Sequence, residues 1–494
     1  MASLFPARRR AVFHAAAQAL AAQQFDLNIT DLINHKKEVN DMFGTSTPRA
    51  MHRFRMALVT LGLLASALPA HAVPSFARQT GQDCVACHVG GFGPQLTPYG
   101  IKFKLGGYTD SDGKAGHIPL SAMLVQSYTQ TSKDQSADPA KGFSKNDNLS
   151  LQEISMFVAG RFSDNIGAFV QVTHAEPDRK TTLDNADLRI VKNMQIADKD
   201  TVLGISINNN PTVQDAFNTV PAWRFPYMSS ELAVGSAASP LIDGALAQQV
   251  IGVSAYGFYD NHWYAELGGY NSLSKRILDD INIAPGDKIK GTSPYWRLAY
   301  FEDQRKQAYS FGIFGMDAHL LPGWTPGQTD KYRDIGIDGS YQFLGTREHV
   351  FALNGSYINE RRNLDASFGA GDAEKRHGSI NRLDVSGSYH FDKTYGATLA
   401  LFDIRGSRDN GLYNSGEQDV GSVKASPNTR GYTVQGDWTP FGKEDSWGNG
   451  WANLRLGLQY TGYTKFNGAK NNYDGFGRNA SDNNTLFAFA WFAI

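Results

Sequence analysis

The stretch Asn453-Leu454-Arg455-Leu456-Gly457-Leu458-Gln459-Tyr460 decides the fold. Leu454, Leu456, Leu458 and Tyr460 alternate with Asn453, Arg455, Gly457 and Gln459. Successive side chains of a strand point to opposite faces, so this is a β-strand with one apolar and one polar face. The period of two recurs. Ile335, Ile337, Tyr341 and Phe343 alternate with Asp334, Asp338, Ser340 and Gln342. Leu383, Val385, Tyr389 and Phe391 alternate with Arg382, Asp384, Ser388 and His390, and Leu203, Ile205 and Ile207 with Gly204, Ser206 and Asn208. From Pro119 onward the pattern yields about sixteen strands of about ten residues, long enough to cross an outer membrane when tilted. Their expected starts lie near residues 119, 150, 166, 184, 200, 248, 262, 293, 307, 332, 348, 379, 395, 430, 451 and 484. The expected fold class is all-β: a transmembrane antiparallel β-barrel over 119–494.

The connections carry an independent signal, because they alternate short and long. Short ones include Ser163-Asp164-Asn165, Asp260-Asn261, Asp303-Gln304-Arg305-Lys306 and Asp392-Lys393-Thr394. Long ones cover 212–247, 273–292, 363–378, 408–429 and 467–483. Short periplasmic turns and long outer loops are the habit of an outer-membrane barrel, and a soluble sandwich has no reason to alternate this way. The last stretch, Thr485 to Ile494, is apolar on both faces. Outer-membrane barrels commonly finish in such a strand, usually with a terminal aromatic, where this chain has Ile494. The loop over 208–247 contains Pro221-Ala222-Trp223-Arg224-Phe225-Pro226-Tyr227, too apolar for simple disorder. Two placements fit it: folded into the lumen, or packed as a lid on the rim.

Ahead of the barrel lies Cys84-Val85-Ala86-Cys87-His88. C-x-x-C-H is the attachment pattern of a c-type haem: two thiols form thioethers with the vinyl groups, and the adjacent His binds the iron. A Cys₄ zinc site is impossible, because the chain has only 2 Cys. A thioredoxin-like dithiol would need a βαβ pattern, and none surrounds the motif. The expected cofactor is one covalently bound heme c, held by Cys84 and Cys87 with His88 as proximal iron ligand. Residues 73–118 form this cytochrome segment, too short for a core of its own. Phe76, Phe92, Leu96, Tyr99, Phe103 and Leu105 are candidates to pack on the porphyrin or on one another. The sixth iron position has two candidates, the Met123 thioether and the His117 imidazole. Met/His ligation gives a higher potential than His/His.

Met51-His52-Arg53-Phe54-Arg55, the apolar run Met56 to Leu68 and Ala70-His71-Ala72 form a signal peptide over 51–72, with cleavage before Val73. Residues 1–50 then precede a complete leader. They are read as an upstream start codon wrongly chosen, the alternative being a long leader around Arg8-Arg9-Arg10. Export and haem attachment agree, since c-type haem is fixed outside the cytoplasm in bacteria. Lys+Arg 47 balances Asp+Glu 48, so no net charge draws the chain to nucleic acid. An even strand number returns both barrel ends to the periplasmic face and sets the haem segment at or inside that mouth.

Phe76-Ala77-Arg78-Gln79-Thr80-Gly81, the Cys84–His88 motif, and Pro94-x-Leu96-x-x-Tyr99-Gly100-x-x-Phe103-Lys104-x-x-Gly107-Tyr108-Thr109 together resemble the fused outer-membrane monohaem cytochrome–porins, the iron(II)-oxidase type of iron-oxidising bacteria. The likeness is specific over about residues 73–123 and architectural over the barrel. It implies a single haem c inside a sixteen-stranded porin-like barrel and electron transfer across the outer membrane. Cys84 and Cys87 carry over as attachment residues and His88 as ligand.

The leading expectation is an outer-membrane electron-transfer protein. It would move electrons from an extracellular donor, Fe(II), through the haem to a periplasmic c-type cytochrome or other carrier. As an enzyme it would be an Fe(II):cytochrome c oxidoreductase. Haem carries the redox chemistry, so no acid–base pair or nucleophile is sought. Two rivals are a diffusion porin with a structural or gating haem plug, and a soluble periplasmic β-rich cytochrome.

Overall fold

The computed structural model describes residues 75–494 apart from 115, 445 and 447–451. The expected leader over 51–72 and the segment before it lie outside the described residues. The sixteen long strands are β1 (Leu120–Thr131), β2 (Asn148–Ser163), β3 (Ile166–Ala175), β4 (Lys180–Ile196), β5 (Lys199–Asn208), β6 (Val250–Tyr259), β7 (Trp263–Ser272) and β8 (Ser293–Asp303), followed by β9 (Gln307–Leu321), β10 (Asp330–Phe343), β11 (His349–Leu364), β12 (His377–Phe391), β13 (Tyr395–Gly406), β14 (Thr429–Trp438), β15 (Asn453–Lys465) and β16 (Thr485–Ala493). Each pairs antiparallel with the next, and β16 pairs back with β1, Trp491 opposite Val125, so the sheet closes. A two-residue strand, Lys288–Ile289, adds to the outer end of β9. No helix among the described residues is long and apolar enough to cross a membrane; the crossing elements are strands.

The alternation seen in the sequence faces outward with its apolar side. Ile337 is 57% exposed, Leu401 55% and Leu458 55%, while Asp338, Ser386 and Gln459 on the opposite faces are buried in the lumen. A soluble protein would turn these faces round; a hydrocarbon surround requires this one. Phe162, Trp263, Phe343, Phe351, Phe391, Tyr395 and Trp438 are exposed at strand ends beside the near-end turns, forming an aromatic girdle.

Those turns lie at the end where β1 begins and β16 finishes. Three are tight hairpins of two or three residues, 197–198, 260–262 and 392–394, each opening with two successive residues at positive φ: Ala197-Asp198, Asp260-Asn261 and Asp392-Lys393. That geometry matches the right-handed twist of the flanking strands. The alternation of connection lengths has two exceptions: 176–179 is short at the far end, and 439–452 is long at the near end. Strand β16 is apolar on both faces because its two faces meet different partners. Leu486 and Phe492 look outward, and Phe487, Phe489 and Trp491 look into the lumen.

The 209–249 connection folds inward, so the lid placement is set aside. Ile242 N donates to Asp334 on β10 (2.8 Å), Gln459 on β15 donates to Met228 O (3.0 Å), and Gln152 on β2 donates to Ser229 O (3.1 Å). The Pro221–Trp223 turn packs Trp223 inside, its indole N–H donating to Val213 O at 2.6 Å.

Leu401→Arg is expected to cost about 2–4 kcal/mol, as for a charge on the lipid face near the bilayer midplane. Denaturant unfolding from lipid vesicles measures it. A cost near zero, as for an exposed leucine of a soluble protein, would contradict the outward assignment.

Candidate functional site

Residues 75–118 lie inside the near end of the barrel. They carry three short helices, α1 (Ser75–Thr80), α2 (Cys84–Cys87) and α3 (Pro98–Leu105). Helix α3 starts as its sequence dictates: the Thr97 hydroxyl accepts from Gly100 N (3.3 Å), and Pro98 occupies the first turn, where no N–H is needed. Between α2 and α3 the chain doubles back on itself. Val89 N donates to Gln95 O and Thr97 N to Cys87 O, both at 2.9 Å, and His88 bridges to Leu96. His88 is thus held in a hairpin loop.

The wall grips this loop from many directions. Asn453 donates to Gly91 O (2.7 Å), Arg455 to Gly93 O (3.2 Å), Gln342 to Leu96 O (2.8 Å) and Tyr256 to Leu105 O (2.7 Å). Tyr108 donates to Asp187 (2.7 Å), and Arg189 reaches both Asp187 (2.8 Å) and Lys104 O (2.9 Å). On β2, Arg161 N donates to the Gln79 side chain (2.7 Å). The inward 209–249 loop presses from the other side: the Asn218 side chain accepts from Leu96 N (2.9 Å) and donates to Pro94 O (3.2 Å). Lys104 donates to Val213 O (2.8 Å) and lies 4.4 Å from the Trp223 ring centre.

Cys84 and Cys87 are free thiols one helical turn apart, adjoining the His88 imidazole. Burial pushes the Cys84 thiol up to about 11 and the Cys87 thiol up to about 12. It pulls His88 down to about 4. All three groups are therefore neutral, although each residue keeps partial exposure. His88 Nδ1 makes no well-formed hydrogen bond among the described residues, and the Gln95 and Pro94 backbone lies close to the ring. A neutral imidazole is the form that ligates a metal. No group of three or more His, Cys, Asp or Glu among the described residues could hold a bare ion. One imidazole beside two thiols instead suits a metal that arrives with its own macrocyclic ligands, tethered through sulfur. The donor types present, two thiols and one neutral imidazole, are those that c-type haem attachment uses.

The porphyrin-packing candidates have protein partners. Phe92 meets Trp491 edge-on at 5.1 Å, and Phe76 packs on Phe103 (5.0 Å) and Tyr108 (5.3 Å). Leu105 is buried against the wall, Leu96 packs on the same cluster, and Tyr99 donates to Asp110 (2.7 Å). The two sixth-position candidates part company. Met123 points inward from β1 into the aromatic cluster of Phe92, Phe157 and Trp491. His117 stays on the arm before β1, its Nε2 2.7 Å from Asp112 Oδ1. One neighbour was not singled out in the sequence. His390, buried on the inward face of β12, lines a small cavity together with His88 and Gly90. Its place in the Arg382–Phe391 alternation was the available signal.

No family model matches the chain, and no curated protein matches it. Solved structures with a similar barrel include the anion-selective porin of Comamonas acidovorans, at 11% identity over 76% of this chain and 98% of that one, TM-score 0.41. The outer-membrane channel DcaP of Acinetobacter baumannii has 11% identity over 76% and 96%, TM-score 0.44. OmpF of Salmonella typhi, solved with daunomycin, has 10% identity over 76% and 97%, TM-score 0.44.

Gly90 has φ +72°, and a Cβ there would collide with the His390 ring. Gly90→Ala is expected to loosen the hairpin by about 1–3 kcal/mol from overpacking, plus strain at positive φ. Trypsin cleavage at Arg78 and Lys102 should quicken, and adding His390→Ala should restore part of the protection. Unchanged cleavage in Gly90→Ala would refute the packing.

Proposed function

We propose that this protein is an outer-membrane cytochrome–porin that carries electrons from an extracellular donor, Fe(II), through one haem c to a periplasmic acceptor. The observation that carries the reading is the position of the C-x-x-C-H hairpin: inside a membrane barrel, not beside it. A hydrocarbon layer of about 30 Å separates the two sides. A centre on one surface cannot bridge that distance, whereas a centre within a polar lumen is approachable from both ends. A sixteen-stranded barrel is wide enough to allow this.

Cys84 and Cys87 would tether the haem and His88 would ligate its iron. When bound, the haem supplies one-electron chemistry. The chain's own residues do the rest. The hairpin bonds Val89–Gln95 and Thr97–Cys87 orient the imidazole, and Gly91 and Gly93 are clamped by Asn453 and Arg455. Phe92, Phe157 and Trp491 exclude water from one flank. The resemblance of residues 73–123 to the fused cytochrome–porins supports the same reading.

The second reading is a diffusion porin in which residues 75–118 are a structural or gating plug. The barrel itself favours it, since its width suits passage of solutes and its lumen wall is polar. The soluble-cytochrome alternative is set aside by the closed barrel with its apolar exterior.

Redox spectroscopy of the purified membrane protein separates the two. The wild type should show a c-type absorption spectrum whose reduced band appears on adding Fe(II), and Cys87→Ser should lose the covalently held pigment. A protein without that spectrum, conducting solutes equally with and without reductant, would establish the porin reading.

A further inference from the structure

The outward face of the barrel changes character at its far end. On β10 the lipid-facing run Ile335, Ile337, Tyr341 and Phe343 covers about 20 Å of height for a strand tilted by about 40°. Past Ile335 the same face continues with Arg333 and Lys331, both exposed. Neighbouring strands make the same change at their far ends. Arg361 of β11 stands directly opposite Arg333. Arg405 of β13 lies just past Asp403, and Arg430 of β14 sits between Asp403 on one side and Lys465 of β15 on the other. Two carboxylates share this rim. Asp317 accepts from Arg333 Nε at 3.2 Å, and Asp403 is held by Arg405 at 2.6 Å and Arg430 at 2.8 Å. Lys331, Arg361 and Lys465 make no ion pair among the described residues. The outward face at the far end of β1–β7 carries Gln130, Leu149, Thr181, Ile251 and Asn271 instead. The near ends of the basic strands carry the aromatic girdle. Positive charge is thus gathered on one sector of one rim.

We infer that the far rim of β10–β15 is a docking surface for the phosphate-bearing head groups of outer-leaflet lipid, seated on Arg333 and Arg361. Like charges directly opposite on adjacent strands repel, so this pair weakens the sheet unless an anion lies between them. Guanidinium groups take phosphate through parallel N–H bonds, and basic clusters beside a bilayer draw anionic head groups. The occupant is a lipid because of where the cations stand: immediately past the apolar band, on the face turned toward the bilayer. A phosphate held there lets its acyl chains run down over Ile335, Ile337 and Tyr357, all exposed on that face. The inference rests on the outer-membrane reading, which both proposed functions share, and not on the haem.

The test uses the full-length protein in uncharged detergent micelles doped with bis-phosphorylated lipid A or with the same lipid dephosphorylated. Native mass spectrometry reads the lipid retained. The wild type should retain the phosphorylated form at least ten-fold more than the dephosphorylated one, and a hundred-fold excess of inorganic phosphate should not displace it. Arg333→Gln combined with Arg361→Gln should lower that retention at least ten-fold. Arg361→Gln alone, which breaks no ion pair, should lower it at least three-fold and keep the heat-sensitive gel migration of a closed barrel. Arg276→Gln, which removes an exposed cation from the 273–292 loop, should leave it within two-fold of wild type. Equal retention of the two lipids, undiminished retention in R361Q, an equal loss in R276Q, or displacement by inorganic phosphate would each overturn the docking surface. A wild type that stays dissolved without detergent would instead overturn the membrane reading beneath it.

Discussion

Lipid offers no hydrogen bonds, and that constraint shapes everything else in this molecule. Every backbone N–H and C=O within the hydrocarbon must find a partner in the chain, and among sheets only a closed one supplies them all. Closure through β16 and β1 leaves no free edge. It also inverts the placement of side chains. Leucine and isoleucine face outward because the surroundings are apolar, and charge and amide go inside. What fills the lumen must therefore be polar toward the wall.

The filling obeys that demand. Residues 75–118 and 209–249 meet the wall largely through hydrogen bonds and paired charges. Breaking one member of a buried pair costs about 3–5 kcal/mol, because its partner is left desolvated. The pairs that cross from wall to insert, Arg297–Asp215, Arg382–Asp243 and Asp384–Arg224, thus act less as adhesive than as registration marks for its seating. The exception is the flank of Phe92, Phe157, Phe487 and Trp491, where wall and insert are both aromatic. That patch explains why the final strand reads as apolar on its two sides.

Most of the barrel was legible in the sequence because period two is a local property. Strand starts inferred from alternation fall within four residues of those observed, as at Ser293, Gln307 and Tyr395, where they coincide. Hairpin turns were legible for the same reason. The inward course of 209–249 was not, since its partners, such as Asp334, Gln459 and Leu96, are remote in sequence and lie on elements whose facing no local pattern reveals. Cys84, Cys87 and His88 were legible as a motif, while the hairpin that holds His88 depends on Asn218, Gln342, Asn453 and Arg455, four residues ordinary in their own surroundings. His390 was seen only as a polar member of a strand. Its nearness to Gly90 follows from how the insert is seated, not from spacing along the chain.

The encircling grip on residues 75–118 has a bearing on how the molecule is made. Cys84 and Cys87 adjoin a hairpin whose carbonyls are bonded to β10 and β15, and the flanking residues are bonded to β2, β4 and β6. Those bonds exist only once β2, β4, β6, β10 and β15 stand around the segment, so its seating and the closing of the sheet are one event in time.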